Sequence, residues 1–214
     1  MLIRDIMSTN VISVPSTTSL ADARRILDAH RIRRLPVVDK GKVVGIVTKE
    51  ALDRVGPSKL TTFSMHELGY LLTKLTVREA MVRDVVTISP DATWEEGVAL
   101  SQSRKVGSLL AVEGDRLVGI VTTNDFFLNI VNPILGVGAP GARFHIHDCG
   151  DAAKVAEVMK AVSELGLRLL TMFIMPDPQT GSPTLTMHLD TSDPSRVLDE
   201  LKGRGYTAHE RPRM

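Results

Sequence analysis

Four of the six histidines, His145, His147, His188 and His209, fall at alternating positions of three runs that read as β-strands. Imidazoles so placed could chelate a transition metal, because alternate strand positions lie about 7 Å apart and neighbouring strands about 5 Å. If Phe144 and Ile146 face a helix layer, then His145, His147 and Cys149 face away from it. Leu185, Met187 and Leu189 leave His188 outward in the same way, and Tyr206 and Ala208 leave His209 outward. The other reading of this face is a polar sheet surface that pairs with another subunit. It is favoured because no zinc-ligand signature is matched, and clustered imidazoles would make such an interface pH-dependent. A second group with chemical potential is the basic cluster Arg31, Arg33 and Arg34 ahead of Pro36. Guanidinium groups suit phosphate through bidentate hydrogen bonds, although a charge run on a loop is also commonly just solvated. The chain has no Gly-x-Ser-x-Gly elbow, no Walker loop and no His-Glu-x-x-His, and its one cysteine, Cys149, has no assigned activating partner, so an enzyme is not expected.

The elements that would position these groups follow from an internal repeat. Ile3 to Thr48 recurs without insertion or deletion from Val77 to Thr122, at a constant offset of 74 residues that pairs Met7 with Met81 and Gly45-Ile46-Val47-Thr48 with Gly119-Ile120-Val121-Thr122. Two copies of one unit imply pseudo-twofold symmetry and a cleft at the seam, where binding is more at home than chemistry. In copy one, Val11 to Val14 reads as a strand. A helix starts at Ser19 with Asp22 as capping partner, and Leu20, Ala23, Ile26 and Leu27 form its apolar face. Leu35 to Asp39 and Lys42 to Val47 read as a hairpin, and Thr48 as the cap of a further helix through Leu52. Copy two repeats the order with strand Val85 to Ile88, helix Thr93 to Gln102, strands Ser108 to Val112 and Leu117 to Val121, and a helix starting near Thr123. Each copy is thus β-α-β-β-α. Between them Ser64-Met65-His66-Glu67 is a capping box opening a helix with Leu68, Leu71, Leu72 and Leu75, a connector or a dimer contact.

After the Pro/Gly-rich stretch Asn132 to Gly141 the pattern changes to strand Arg143 to Cys149, helix Asp151 to Leu165, strand Leu167 to Met175, a turn through Gly181, strand Thr184 to Leu189, helix Pro194 to Lys202 and strand Tyr206 to Glu210. That order is β-α-β-β-α-β, the split βαβ arrangement of ferredoxin-like domains. The fold class expected is therefore α+β: repeat unit 1 over 1–60, connecting helix 61–76, repeat unit 2 over 77–131, linker 132–142 and a third, ferredoxin-like region over 143–214. With 26 basic and 25 acidic residues the net charge is +1, which argues against a generally basic nucleic-acid-binding surface. One cysteine fits a reducing compartment. Met1 to Asp5 lacks the apolar core of a signal peptide, and the longest uncharged run, Phe126 to Ala142, is broken by prolines and glycines. A cytoplasmic location without membrane contact is expected.

The doubled motif, Leu35-Pro36-Val37-Val38-Asp39 ahead of Gly45-Ile46-Val47-Thr48, with Gly119-Ile120-Val121-Thr122-Thr123-Asn124-Asp125, resembles paired cystathionine-β-synthase (CBS) domains, the Bateman module. The carboxy-terminal region resembles an ACT domain, and the order CBS, CBS, ACT resembles the acetoin-utilization B-type proteins. The CBS resemblance implies an adenosine-containing ligand (AMP, ADP, ATP or S-adenosylmethionine) in a cleft of the pair. Thr122 would stand near phosphate, Asp125 on the ribose hydroxyls, and Ile120, Gly107 and Ser108 would line the site. Copy one keeps Thr48 but has Ala51 where the aspartate would be, with Glu50 adjacent, so one site of family type is expected. Arg33 falls where family members place a phosphate-contacting arginine, and Gly107 is its match in copy two. The two clefts are expected to differ, one richer in ribose contacts and one in positive charge. The ACT resemblance lacks the Asp-x-Pro-Gly-like turn at Asp148-Cys149-Gly150-Asp151, which puts amino-acid binding in question. The combined expectation is a regulatory sensor, a homodimer acting on a regulated enzyme, with no required cofactor. The alternative is a structural dimerisation module that binds no nucleotide.

Overall fold

Ser19 and Thr93 stand at matching positions of the two copies, and each stops an extended segment by capping a helix. Ser19 accepts a hydrogen bond from the Asp22 N–H at 3.0 Å, and Thr93 from the Glu96 N–H at 3.2 Å. In the computed structural model, which describes residues 1–55 and 74–211, these caps open α2 (Leu20–Ala29) and its counterpart α5 (Trp94–Ser103). The remaining elements of the first compact unit, Met1–Phe126, are α1 (Ile3–Ile6), β1 (Arg34–Asp39), β2 (Lys42–Thr48), α3 (Lys49–Val55), α4 (Val77–Ala80), β3 (Thr87–Ile88), β4 (Ser108–Glu113), β5 (Arg116–Thr122) and α6 (Thr123–Phe126). The helix expected from Ser64 onward lies outside the described residues.

The hairpins β1–β2 and β4–β5 match in register, Arg34 opposite Thr48 and Ser108 opposite Thr122, and each carries an irregularity at the same place, after Val37 and after Ala111. The opening strand of each copy is shorter than expected. In copy two only Thr87–Ile88 pairs with β4, in parallel, and in copy one Val14 makes a single parallel bridge to Val37.

The folding halves are not the linear repeats. The first turn of each copy is exchanged. Ile3 N–H donates to the Ala92 carbonyl at 2.9 Å and Ile3 is fully buried against Gly97, both in copy two. Symmetrically, Val77 N–H donates to the Thr18 carbonyl at 2.8 Å, and Leu75, Val77, Ala80 and Met81 complete the copy-one core of Val14, Leu20, Ala23, Leu27, Leu35, Val37, Val47 and Leu52. Paired bridges, Ser8 to Ile120 and Val82 to Ile46, close the exchange. Glycine is needed at both crossings: a Cβ on Gly45 would lie 2.6 Å from Met81 Sδ, and one on Gly119 would strike the Met7 side chain.

The second compact unit begins at Phe127. Phe127–Val131 is π-helical and continues into α7 (Asn132–Leu135), ended by Gly136 at φ +61°. Then come β6 (Ala142–Ile146), α8 (Ala152–Glu164), β7 (Leu169–Pro176), β8 (Pro183–Leu189), α9 (Pro194–Gly203) and β9 (Ala208–Arg211). The four strands form one antiparallel sheet in the order β7-β8-β6-β9. Phe144, Ile146, Leu185, Met187 and Leu189 face a core shared with Val158, Val162 and Leu201. Part of the stretch read as linker lies on the sheet's other face, where Gly136 packs so tightly on the His188 ring that no Cβ would fit and its carbonyl accepts a 2.7 Å bond from Arg143. No helix among the described residues is long and apolar enough to cross a membrane.

Candidate functional site

Thr122 ends β5 and Asp125 sits in the first turn that follows, so the chain itself brings hydroxyl and carboxylate together. Asp125 Oδ2 accepts the Thr122 N–H at 2.7 Å and the Thr122 hydroxyl at 2.6 Å. This is a helix cap in which two donors fall on one oxygen. Ser108 lies opposite Thr122, the Gly107 carbonyl accepts the Thr123 N–H at 3.2 Å, and Ile120 is tied to Ser8 by paired backbone bonds. The five copy-two residues named from sequence thus cluster at the open end of β4–β5.

Copy one builds the same corner with different groups. Thr48 accepts the Ala51 N–H at 3.1 Å, and Glu50 takes the part that Ala51 cannot. The Glu50 carboxyl is held below its usual range by hydrogen bonds from its own backbone N–H and from Thr48, helped by the charges of Arg34 and Arg33. Of the basic cluster, Arg31 and Arg33 are exposed, and Arg33 contributes its carbonyl to the Lys49 N–H. Arg34 behaves differently. It is half-buried and crosses to copy two, where a Cβ on Gly107 would lie 2.5 Å from its Nη2. Arg34 thus reaches Gly107 of copy two, while its charge, with that of Arg33, also acts on the Glu50 carboxyl of copy one.

A CBS domain family model matches residues 3–56 and 77–132, which together make up half of the chain. The chain belongs to the CBS-domain family. Its CBS pair is similar to a protein of Vibrio cholerae described as an acetoin utilization protein, AcuB: 29% identical, with a TM-score of 0.52 over 65% of this chain and 98% of that one. It is also similar to the CBS domain pair of protein MJ0100 solved in complex with 5′-methylthioadenosine and S-adenosyl-L-methionine, 28% identical with a TM-score of 0.51 over 62% of this chain and 97% of that one. Among curated proteins, the inosine-5′-monophosphate dehydrogenase of Korarchaeum cryptofilum is 30% identical over 159 residues, which is 70% of this chain but 30% of that enzyme. The L-aspartate semialdehyde sulfurtransferase of Methanocaldococcus jannaschii is 34% identical over 58% of this chain. This chain spans only 22% of the sulfurtransferase, so in both enzymes the likeness covers a minor part of the protein.

Beyond the CBS pair, three of the four histidines do gather. His209 lies opposite His145 on paired strands, with ring centres 5.2 Å apart, and His147 Nε2 is 3.1 Å from His209 Nδ1. His188 is buried separately beneath Gly136, and Cys149 is in the core, because β6 stops at Ile146 and Asp148 at φ +51° turns the chain over. Two ring nitrogens pointing at each other do not converge on an ion. Among the described residues no three His, Cys, Asp or Glu side chains are arranged to hold a metal, so the four-histidine chelate is not formed.

Burial holds the His145 imidazole below its ordinary value, helped by the charges of His209, Arg211, His147 and Arg143. The unfolded chain takes up this proton near pH 6.5, whereas the folded chain resists until lower pH. Stability is then complete above that value and falls as pH drops from about 6.5 toward the folded pKa. Denaturant midpoints at about pH 7.5 and 5.5 are expected to differ, and His145→Gln to shrink the difference. Equal slopes in the variant and the parent would remove His145 from the account.

Proposed function

We propose that the CBS pair is a regulatory sensor for an adenosine-containing ligand, AMP, ADP, ATP or S-adenosylmethionine, bound at the copy-two corner of Thr122, Asp125, Gly107, Ser108 and Ile120. The observation that carries the reading is the Thr122–Asp125 pair, hydroxyl and carboxylate brought together at the end of β5. A carboxylate accepts two hydrogen bonds from a vicinal diol, and a hydroxyl beside a guanidinium suits a phosphate. The MJ0100 relative, whose CBS pair was solved with adenosyl compounds, supports the choice of ligand class. Ligand touching both copies would favour one closure of the pair, a population shift worth its differential affinity for the two closures. The reading includes a cytoplasmic homodimer acting on a regulated enzyme. It also takes the second unit as ACT-like, supported by its β-α-β-β-α-β order and four-stranded antiparallel sheet.

Asp125→Asn keeps an oxygen for the cap and removes the charge, so calorimetry is expected to show adenine-nucleotide affinity reduced by about tenfold or more with the fold unchanged. Unaltered affinity would remove Asp125 from the site. A second reading, a dimerisation module without ligand, is favoured by the same bonds if Asp125 serves only as a cap. Thermal shift separates the two, since ligand at 100 times its Kd stabilises by about 2.7 kcal/mol.

A further inference from the structure

In the second unit β6 and β9 lie side by side at one end of the sheet, and their side chains alternate between the core and the opposite face. Phe144, Ile146 and Ala208 take the core side, so five groups that carry or can take a positive charge share the other. Arg143 stands opposite Arg211 and His145 opposite His209, about 5 Å apart across the strands, and His147 Nε2 comes within 3.1 Å of His209 Nδ1. Among the described residues the arginines of this unit that form ion pairs are Arg168 and Arg204, so the charges of Arg143 and Arg211 stay unneutralised. Arg143 is steadied instead by the uncharged Gly136 carbonyl at 2.7 Å. Glu210 follows the core-side parity of Ala208, and Asp177, just past β7, is held low first by backbone hydrogen bonds from Thr180 and Gln179 and only lastly by the charge of His147. His188 of β8 shares the face but lies beneath Gly136, and neither β7 nor residues 132–141 bring another titratable side chain.

The crowding registers on His145. Burial first, then the charges of His209, Arg211, His147 and Arg143, hold its imidazole below the ordinary value. Its Nε2 and the Thr184 hydroxyl, on the same face, are buried without a hydrogen-bond partner among the described residues. Like charges gathered on a partly buried surface cost free energy that an anion set among them would offset. We propose that this strip of β6 and β9 binds a small dianionic oxyanion of the phosphate class, held between Arg143 and Arg211 and bound more tightly when the neighbouring imidazoles are protonated. A phosphoryl group offers three acceptor oxygens, enough to meet two guanidinium forks, whereas a single carboxylate fills one. The site lies in the second unit, and its case does not depend on the nucleotide reading.

The test is a titration of the full chain with sulfate, which stays dianionic between pH 6.0 and 7.5, followed through the imidazole ring signals in NMR. The signals of His145, His147 and His209 are expected to shift and saturate at pH 6.0, with affinity about fivefold or more weaker at pH 7.5. Arg211 is exposed at the sheet edge, so Arg211→Gln is expected to fold and to weaken sulfate by about fivefold to tenfold, and Arg211→Lys to recover part of the loss. Inorganic phosphate and glycerol phosphate are then compared on the same signals: tighter binding of the ester supports a phosphorylated metabolite as the ligand, and tighter binding of the free anion supports phosphate itself. An adventitious ion only, seen as equal shifts with chloride at matched ionic strength, would overturn the proposal. So would equal sulfate affinity at the two pH values, or an affinity that Arg211→Gln leaves unchanged.

Discussion

Ile3→Ala is expected to destabilise the first unit by about 2–5 kcal/mol, the range for truncating a large buried aliphatic side chain. Position alone suggests otherwise, since the third residue of a chain usually frays. Ile3, however, is fully buried, its Cδ1 would be 2.7 Å from a Cβ on Gly97, and its N–H is bonded to Ala92. It is a core residue of copy two delivered by the amino terminus. The only tryptophan, Trp94, begins the same helix and donates its N–H to the Met1 carbonyl, so its fluorescence reports on this region in a denaturant titration. A midpoint equal to that of the parent would mean that the exchanged turn carries no core energy.

Gly141→Ala is expected to cost the second unit about 2 kcal/mol or more, although it adds one methyl group. Gly141 has φ +106°, a conformation that residues with a Cβ rarely adopt, and the new carbon would strike the Leu189 carbonyl oxygen. Both partners are backbone, so no rotamer change relieves the contact. The next residue, Ala142, pairs with Leu189 in the first rung between β6 and β8. Faster amide hydrogen exchange in Phe144 and Met187, with Leu109 of the first unit unchanged, is the expected signature. Unchanged exchange at all three would show that the backbone absorbs the methyl group.

The residues explain what could be read in advance. Capping signals at Ser19, Thr93 and Asp151, and alternation in the strands around Phe144 and Leu185, are local, and local signals placed these elements closely. The repeat offset paired the hairpins correctly because register follows from matching turns. Strand alternation gathered His145, His147 and His209 but misplaced Cys149, since one residue at positive φ reverses the parity of all that follow. The exchanged first turns left no local trace: Ile3 and Val77 look the same whether they pack on their own copy or on the other. Arg34 over Gly107 was likewise invisible, as a long side chain crossing between copies is fixed by tertiary packing and not by spacing along the chain.

The exchange of first turns also bears on dilution. A chain with a single copy would expose the apolar surface around Leu20 and Leu35 unless another molecule lent it a turn, so its stability would depend on protein concentration. Tethering the copies on one chain makes that encounter intramolecular, so pairing no longer depends on the concentration of the protein. The tandem chain should therefore stay paired at dilutions where two separate halves would drift apart.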